Sequence, residues 1–108
     1  MTTPTPGMVT TASPLATKAG ADMLRRGGNA IDAAVAAGWA LSVCEPGNSG
    51  MGGQSIVLMR QSSGICLVLD GHSQGPAAVS LKNVSEKQHR TGPRACTVPS
   101  TPAVLEQI

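Results

Sequence analysis

Apolar residues recur every four positions at Leu15, Ala19 and Met23, with Ala16 and Leu24 beside them. That spacing predicts an amphipathic helix of about three turns. Ser13-Pro14 is a good opening, with serine capping free backbone donors and proline at the first helical position. Arg25 and Arg26 suit the negative end of the helix dipole, and Gly27-Gly28 stops the helix. Asn29 then caps a second helix, with Asp32 placed for a capping box. This helix runs to about Cys44 and is apolar nearly all round, as a central helix is. Glu45-Pro46 ends it, because proline disfavours helix in the residue before it.

A glycine loop follows at residues 47–53. Ser55–Arg60 and Ile65–Asp70 read as two strands, and the intervening Gln-Ser-Ser-Gly suits a hairpin turn. Residues 71–76 read as a loop. Residues 77–97 are ambiguous: Ala77–Leu81 fits the start of a short helix, and Lys82–Arg94 reads as exposed. Thr101-Pro102 opens a last helix. Residues 1–12 read as an extended or disordered lead-in, and residues 13–108 as one partial domain. The pattern is α+β: a helix pair, then a β-hairpin.

Composition sharpens this picture. Trp39 is the only aromatic residue, so the large rings that usually fill small cores are missing. The run from Gly27 to Gly53 is instead rich in glycine and alanine, which implies close backbone packing. Such a helix needs neighbours that 108 residues barely supply, so the chain reads as the opening part of a larger protein, truncated at its C-terminus. Net charge is +2 with 13% charged residues, and no basic stripe or aromatic platform points to nucleic acid. Glu86 interrupts the loose basic region of Lys82, Lys87, Arg90 and Arg94, which reads as a solvated loop.

The three cysteines, Cys44, Cys66 and Cys96, are widely spaced among apolar residues and are expected to be buried free thiols. No ligand spacing predicts a metal site, and nothing calls for a cofactor. Met1–Ser13 lacks a secretory signal pattern. The apolar run Ala33–Val43 is too short to span a membrane, which takes about 20 residues. The reading is a soluble product, cytoplasmic unless a leader has been cut away.

The glycine loop does not match phosphate-binding motifs. Gly47 and Gly52 have Walker-like spacing, but Gly53 stands where lysine is required. The order helix, loop, strand also leaves no helix N-terminus facing a ligand. Tight turns with positive φ and close backbone contact are expected there instead. Ser49 fails as a nucleophile elbow, since Met51 replaces the second glycine. Asp70 and His72 lie just after a strand, where a loop can present them to a pocket, a structural hydrogen-bonding role being the plainer reading. His89 reads as exposed. No nucleophile, base and oxyanion hole occur together.

The ordered blocks Met8-Val9, Ser13-Pro14-Leu15-Ala16, Ala19-Gly20, Leu24–Ala37, Glu45-Pro46, Ser49-Gly50, Gly52-Gly53, Leu69-Asp70, Gly75-Pro76 and Thr97-Val98-Pro99 resemble the N-terminal part of the large subunit of gamma-glutamyltranspeptidases. Gly-Gly-Asn-Ala-Ile-Asp-Ala-Ala-Val-Ala is the most specific part. The resemblance implies an N-terminal-nucleophile hydrolase of the αββα sandwich class, made as a precursor that cleaves itself into large and small subunits. It implies that the small subunit's N-terminal threonine, outside this chain, attacks a γ-glutamyl amide, with its own α-amine as base. Backbone donors would hold the oxyanion. Water or an amino acid would take the acyl group. No pattern makes Thr97 or Thr101 a substitute, so no catalytic residue is expected in this chain.

The family carries an Asp-Phe-Arg stretch whose arginine grips the substrate α-carboxylate. Aligning Asp70 and Pro76 puts His72 at the arginine position. An imidazole lacks the planar two-pronged donor set of a guanidinium, and losing such a charged pair costs about 1.5–3 kcal/mol. By this resemblance His72, Ser73 and Gln74 are the substrate-binding residues. The implied partners are the rest of the precursor and a small amide or peptide substrate such as a γ-glutamyl compound. Two other readings stay open: a truncated, non-catalytic structural or partner-binding relative, and a small anion-binding module built on the glycine loop.

Overall fold

The computed structural model describes residues 3, 4, 6–80 and 82–108. Met1, Thr2 and Thr5 of the expected lead-in, and Leu81 at the end of the expected 77–81 helix, lie outside the described residues. The elements in chain order are α1 (Pro14–Arg25), α2 (Ala30–Cys44), α3 (Pro46–Ser49), β1 (Ser55–Arg60), β2 (Cys66–Gly71), α4 (Glu86–Arg90), a 3₁₀ turn (Pro93–Ala95) and α5 (Thr101–Gln107). The architecture is α+β, with β1 and β2 forming an antiparallel hairpin. No helix among the described residues is long and apolar enough to cross a membrane.

The helix pair forms as its termini predict, with one exception. Ser13 makes no side-chain cap bond. Thr11 holds Ser13 itself: its hydroxyl donates to the Ser13 carbonyl at 2.7 Å and accepts the Ser13 N–H at 3.2 Å. At the other end Gly27 has φ 87°, and the Gly28 and Gly27 N–H groups donate to Met23 and Leu24 carbonyls at 2.9 and 3.0 Å. This is the reciprocal Schellman closure, for which a left-handed glycine is suited. Asn29 Oδ1 then accepts from Ile31 and Asp32, while Asp32 Oδ2 accepts the Asn29 N–H at 2.8 Å. The capping box therefore turns the chain straight from α1 into α2.

The buried stripe of α1 is Ala16, Gly20 and Leu24. Leu15, expected on that face, is 66% exposed. The stripe is set by backbone approach and not by side-chain bulk. A Cβ built at Gly20 would lie 2.8 Å from the Ala33 carbonyl oxygen and 2.9 Å from Val9 Cγ1. Ala33 and Ala37 are the buried residues α2 presents to this crossing, so small residues bring the two backbones together.

The glycine loop departs from expectation. Pro46–Ser49 forms one helical turn, α3. Positive φ occurs at Gly27, Gly64 and Gly92 among the described residues, and not within 47–53. Close contact is what the loop uses: a Cβ at Gly50 would lie 2.7 Å from the Pro46 carbonyl oxygen. Positive φ falls instead in the hairpin turn, at Gly64 with φ 89°. There the Gln61 N–H donates to Ile65 O and the Gly64 N–H to Gln61 O, each at 2.9 Å. β2 begins one residue later than predicted and extends through Gly71. Residues 77–80 form no helix. A Ser85–Gln88 capping box starts α4, a Ser-x-x-Gln signal that the chain pattern had left unread.

α5 closes the helical layer over the inner face of the hairpin. Val104 and Leu105 are buried, and Gly71 is buried beneath Val104 and Ser100. The opposite face of the hairpin is bare, with Ile56 61%, Leu58 72% and Val68 64% exposed. The chain measures 59 × 30 × 18 Å with a radius of gyration of 17.1 Å, against about 13 Å for a compact domain of this size. It is a thin sheet of helix-on-hairpin with little interior. The cysteines follow from this: Cys44, Cys66 and Cys96 are free but exposed, not buried. The apolar surroundings expected for them are surfaces here.

Lys18 Nζ lies 2.7 Å from Asp22 Oδ2, and Arg25 Nη1 pairs with Asp22 Oδ1. The Lys18 hydrogen bond, followed by that of Arg25, holds the Asp22 carboxyl below its ordinary value. A lowered carboxyl pKa adds stability above the unfolded-state value, and that stability is lost as pH falls through the folded value. An NMR titration is expected to place Asp22 below the ordinary aspartate value, and Lys18→Ala to raise it more than Arg25→Ala does. Alanine at Gly20 or Gly71 is expected to destabilise by about 1–3 kcal/mol through overpacking, outweighing the helix-propensity gain of about 1 kcal/mol at Gly20. Thermal melts of the two variants check this, a melting temperature equal to or above the parent's being the contrary result.

Candidate functional site

The loop after β2 is held by its backbone. Gly71, the last residue of the strand, has no room for a side chain: a Cβ there would meet Val104 Cγ2 and lie 2.7 Å from the Ser55 carbonyl oxygen. Ser100 Oγ donates to the Gly71 carbonyl, which ties the strand end to the start of α5. Asp70 Oδ1 then accepts the His72 N–H at 2.9 Å. This side-chain turn is the local structural role open to an aspartate at a strand end.

The next two residues are fixed from further away. The Ser73 N–H donates to Gln54 Oε1 at 2.7 Å, and Thr97 Oγ1 donates to Ser73 Oγ at 3.2 Å. Gln74 pairs with Val98 as an antiparallel bridge, the Val98 N–H donating to the Gln74 carbonyl at 2.9 Å. The His72 imidazole and the Gln74 carboxamide take part in none of these bonds. Both are exposed and line a cleft of about 240 Å³ with Asp70, Val98, Ser100 and Gln107. The residues that line this cleft include no lysine or arginine. Its polar chemistry is an imidazole, two carboxamides, a hydroxyl and one carboxylate.

The structure thus brings His72 and Gln74 to one cleft and turns Ser73 away from it, its hydroxyl and N–H both engaged. Thr101 is buried at the start of α5, where its hydroxyl accepts from Ser55 Oγ at 2.9 Å. Thr97 is spent on Ser73. Neither threonine is set against a base. Among the described residues no group of three or more His, Cys, Asp or Glu side chains gathers to hold a metal. His89 sits exposed in α4. A larger groove of about 520 Å³ runs between residues 6–11 and α2, but its lining is mostly apolar, with Thr10 and Thr11 its polar side chains. It offers no convergent donors for chemistry.

Sequence reasoning missed Gln54 and Ser100. Gln54 follows the glycine loop and reaches the loop after β2, a contact spanning 19 residues. Local spacing carries no signal for such a bond. Ser100 precedes the Thr101-Pro102 helix start, and its bond to Gly71 depends on where α5 lands.

A family model described as gamma-glutamyltranspeptidase matches residues 16–108. The glutathione hydrolase proenzyme of Pseudomonas sp. (strain A14) is 37% identical over 107 residues, covering 93% of this chain and 19% of that protein. The acylase ACY 1 proenzyme of Pseudomonas sp. (strain SE83) is 37% identical over 106 residues, covering 86% of this chain and 19% of that protein. The solved gamma-glutamyltranspeptidase of Helicobacter pylori superposes with a TM-score of 0.86 at 34% identity, over 94% of this chain and 31% of that chain. This chain therefore spans about a fifth of the length of those two curated relatives. Matched from α1 to its last residue in sequence, and in backbone from helix pair through hairpin to α5, it belongs to the gamma-glutamyltranspeptidase family.

Proposed function

We propose that residues 13–108 are the N-terminal part of the large subunit of an amide hydrolase or acyltransferase of the gamma-glutamyltranspeptidase type. The observation that carries this reading is the family match over residues 16–108. The remainder of the precursor, a small subunit with the nucleophilic threonine, is the proposed partner. It would cover the bare apolar face of Ile56, Leu58 and Val68. The substrate is a small amide or peptide.

The segment His72–Gln74 is one wall of the substrate pocket. His72 and Gln74 face the bound acyl group, and Ser73 fixes the segment between them. The groups on this wall donate and accept hydrogen bonds without a permanent positive charge, since arginine is replaced by His72. A γ-glutamyl group carries an α-carboxylate that an arginine fork would hold in two parallel bonds. His72 offers one donor at a time to the same place. This favours a second substrate class beside glutathione-like compounds: amides whose acyl group lacks the α-amino acid end. Relatives named acylase as well as glutathione hydrolase support keeping both classes.

The product of the complete open reading frame is to be assayed with a γ-glutamyl anilide and with an acyl anilide lacking the α-amino and α-carboxyl groups. The second is expected to be cleaved at least as well. His72→Arg is expected to raise kcat/KM for the γ-glutamyl anilide about 10- to 100-fold. If neither the parent nor His72→Arg releases aniline from it, γ-glutamyl chemistry is the wrong assignment. If neither substrate is cleaved, the non-catalytic reading replaces the enzymatic one. The 108-residue chain produced alone is expected to self-associate and to melt broadly, through its bare hairpin face. A sharp melt with a monomeric sedimentation profile is the opposing result.

A further inference from the structure

Gln54 stands where the glycine loop becomes β1, and α5 fixes the residues on both sides of it. The Gly53 carbonyl accepts the Ser100 and Thr101 N–H groups at 3.0 and 3.4 Å. Ser55 Oγ donates to Thr101 Oγ1 at 2.9 Å. With its neighbours pinned, the Gln54 side chain crosses to the loop after β2 and its Oε1 accepts the Ser73 N–H at 2.7 Å. Ser73 is the middle residue of the candidate wall. Without this bond its other hydrogen-bond link is the weaker hydroxyl contact to Thr97 at 3.2 Å.

We propose that Gln54 is a positioning residue for substrate recognition, setting through the Ser73 N–H the direction in which His72 and Gln74 enter the cleft. The proposal rests on the reading of His72–Gln74 as the substrate wall. Gln54 borders the space beside α3 and α5, with Gly53, Ser55 and Thr101. It does not line the His72 cleft, so it acts through Ser73 and not by touching substrate. Its bond is exposed, and an exposed neutral hydrogen bond adds little to global stability. Its effect is therefore local: it selects one placement for a three-residue segment, and misplacing such a segment weakens binding before it unfolds anything.

Gln54→Ala removes the accepting oxygen, whereas Gln54→Glu keeps both the reach and an accepting oxygen. Both are to be made in the product of the complete open reading frame. Three readouts apply: amide hydrogen exchange at Ser73, kcat and KM for the better anilide of the pair above, and the melting temperature. Gln54→Ala is expected to speed Ser73 exchange and raise KM, each about tenfold. It should leave kcat within about twofold and the melting temperature close to the parent's. Gln54→Glu is expected to restore parental exchange and KM. Unchanged exchange in Gln54→Ala overturns the strut itself. Faster exchange with unchanged KM overturns the positioning role, and the segment is then held but does not face substrate. A product that cleaves neither anilide overturns the functional reading and the KM claim with it, while the exchange arm still decides whether Gln54 holds Ser73.

Discussion

The first turn of α5 is where the molecule is tied together. Its free backbone N–H groups, at Ser100 and Thr101, converge on the Gly53 carbonyl. A helix N-terminus has such donors to spare, and here a loop carbonyl from the glycine run takes them. The Ser100 and Thr101 hydroxyls then reach the hairpin, one at the Gly71 carbonyl and the other at Ser55. One helical turn thereby connects the glycine loop, the start of β1 and the end of β2. The loop carrying His72 leaves from that junction, so its position is set by α5 even though α5 comes about 30 residues later in the chain.

This arrangement explains the chain's use of small residues. Gly20 allows α1 to meet α2 through the Ala33 carbonyl, and Gly71 allows α5 to rest on β2. Both contacts put backbone against backbone or methyl, with no large side chain between. Among the described residues seven hydrophobic ones form the buried core, and the largest of them are leucines. Close approach substitutes for bulk. The consequence is specificity of geometry with modest burial, and the apolar area that remains, on the outer hairpin face and at Val43, is left to other surfaces.

Local chemistry was legible in the sequence and long-range landing was not. Asn29 and Asp32 announce their capping box, Gly27 its left-handed turn, and Gln61–Gly64 its hairpin, because each is decided within a few residues. The α1 face misled because Leu15 is more hydrophobic than Gly20, yet Gly20 is the residue that lets a partner helix approach. Cys44, Cys66 and Cys96 misled because their apolar neighbours imply burial only where something covers them. At the site, His72 was readable as a loop residue just after a strand, whereas Asp70 lies within β2. Gln54 was not readable, since the bond to Ser73 exists only after the hairpin folds and α5 fixes the residues beside it. The turning away of Ser73 from the cleft has the same cause.

The family resemblance and the site geometry bear on different questions. The former establishes kinship through the ordered backbone, most of which serves packing. The latter concerns the cleft beside His72, where Gly71 sets how closely α5 approaches the strand end. Glycine at 71 lets α5 lie directly against the strand end, which an aromatic side chain there would prevent. The cleft beside His72 is then walled by α5 residues such as Gln107. Carboxamides and an imidazole offer hydrogen bonds of either sense, whereas a guanidinium offers donors only. The shape of this cleft is accordingly a matter of how α5 and the His72 loop meet.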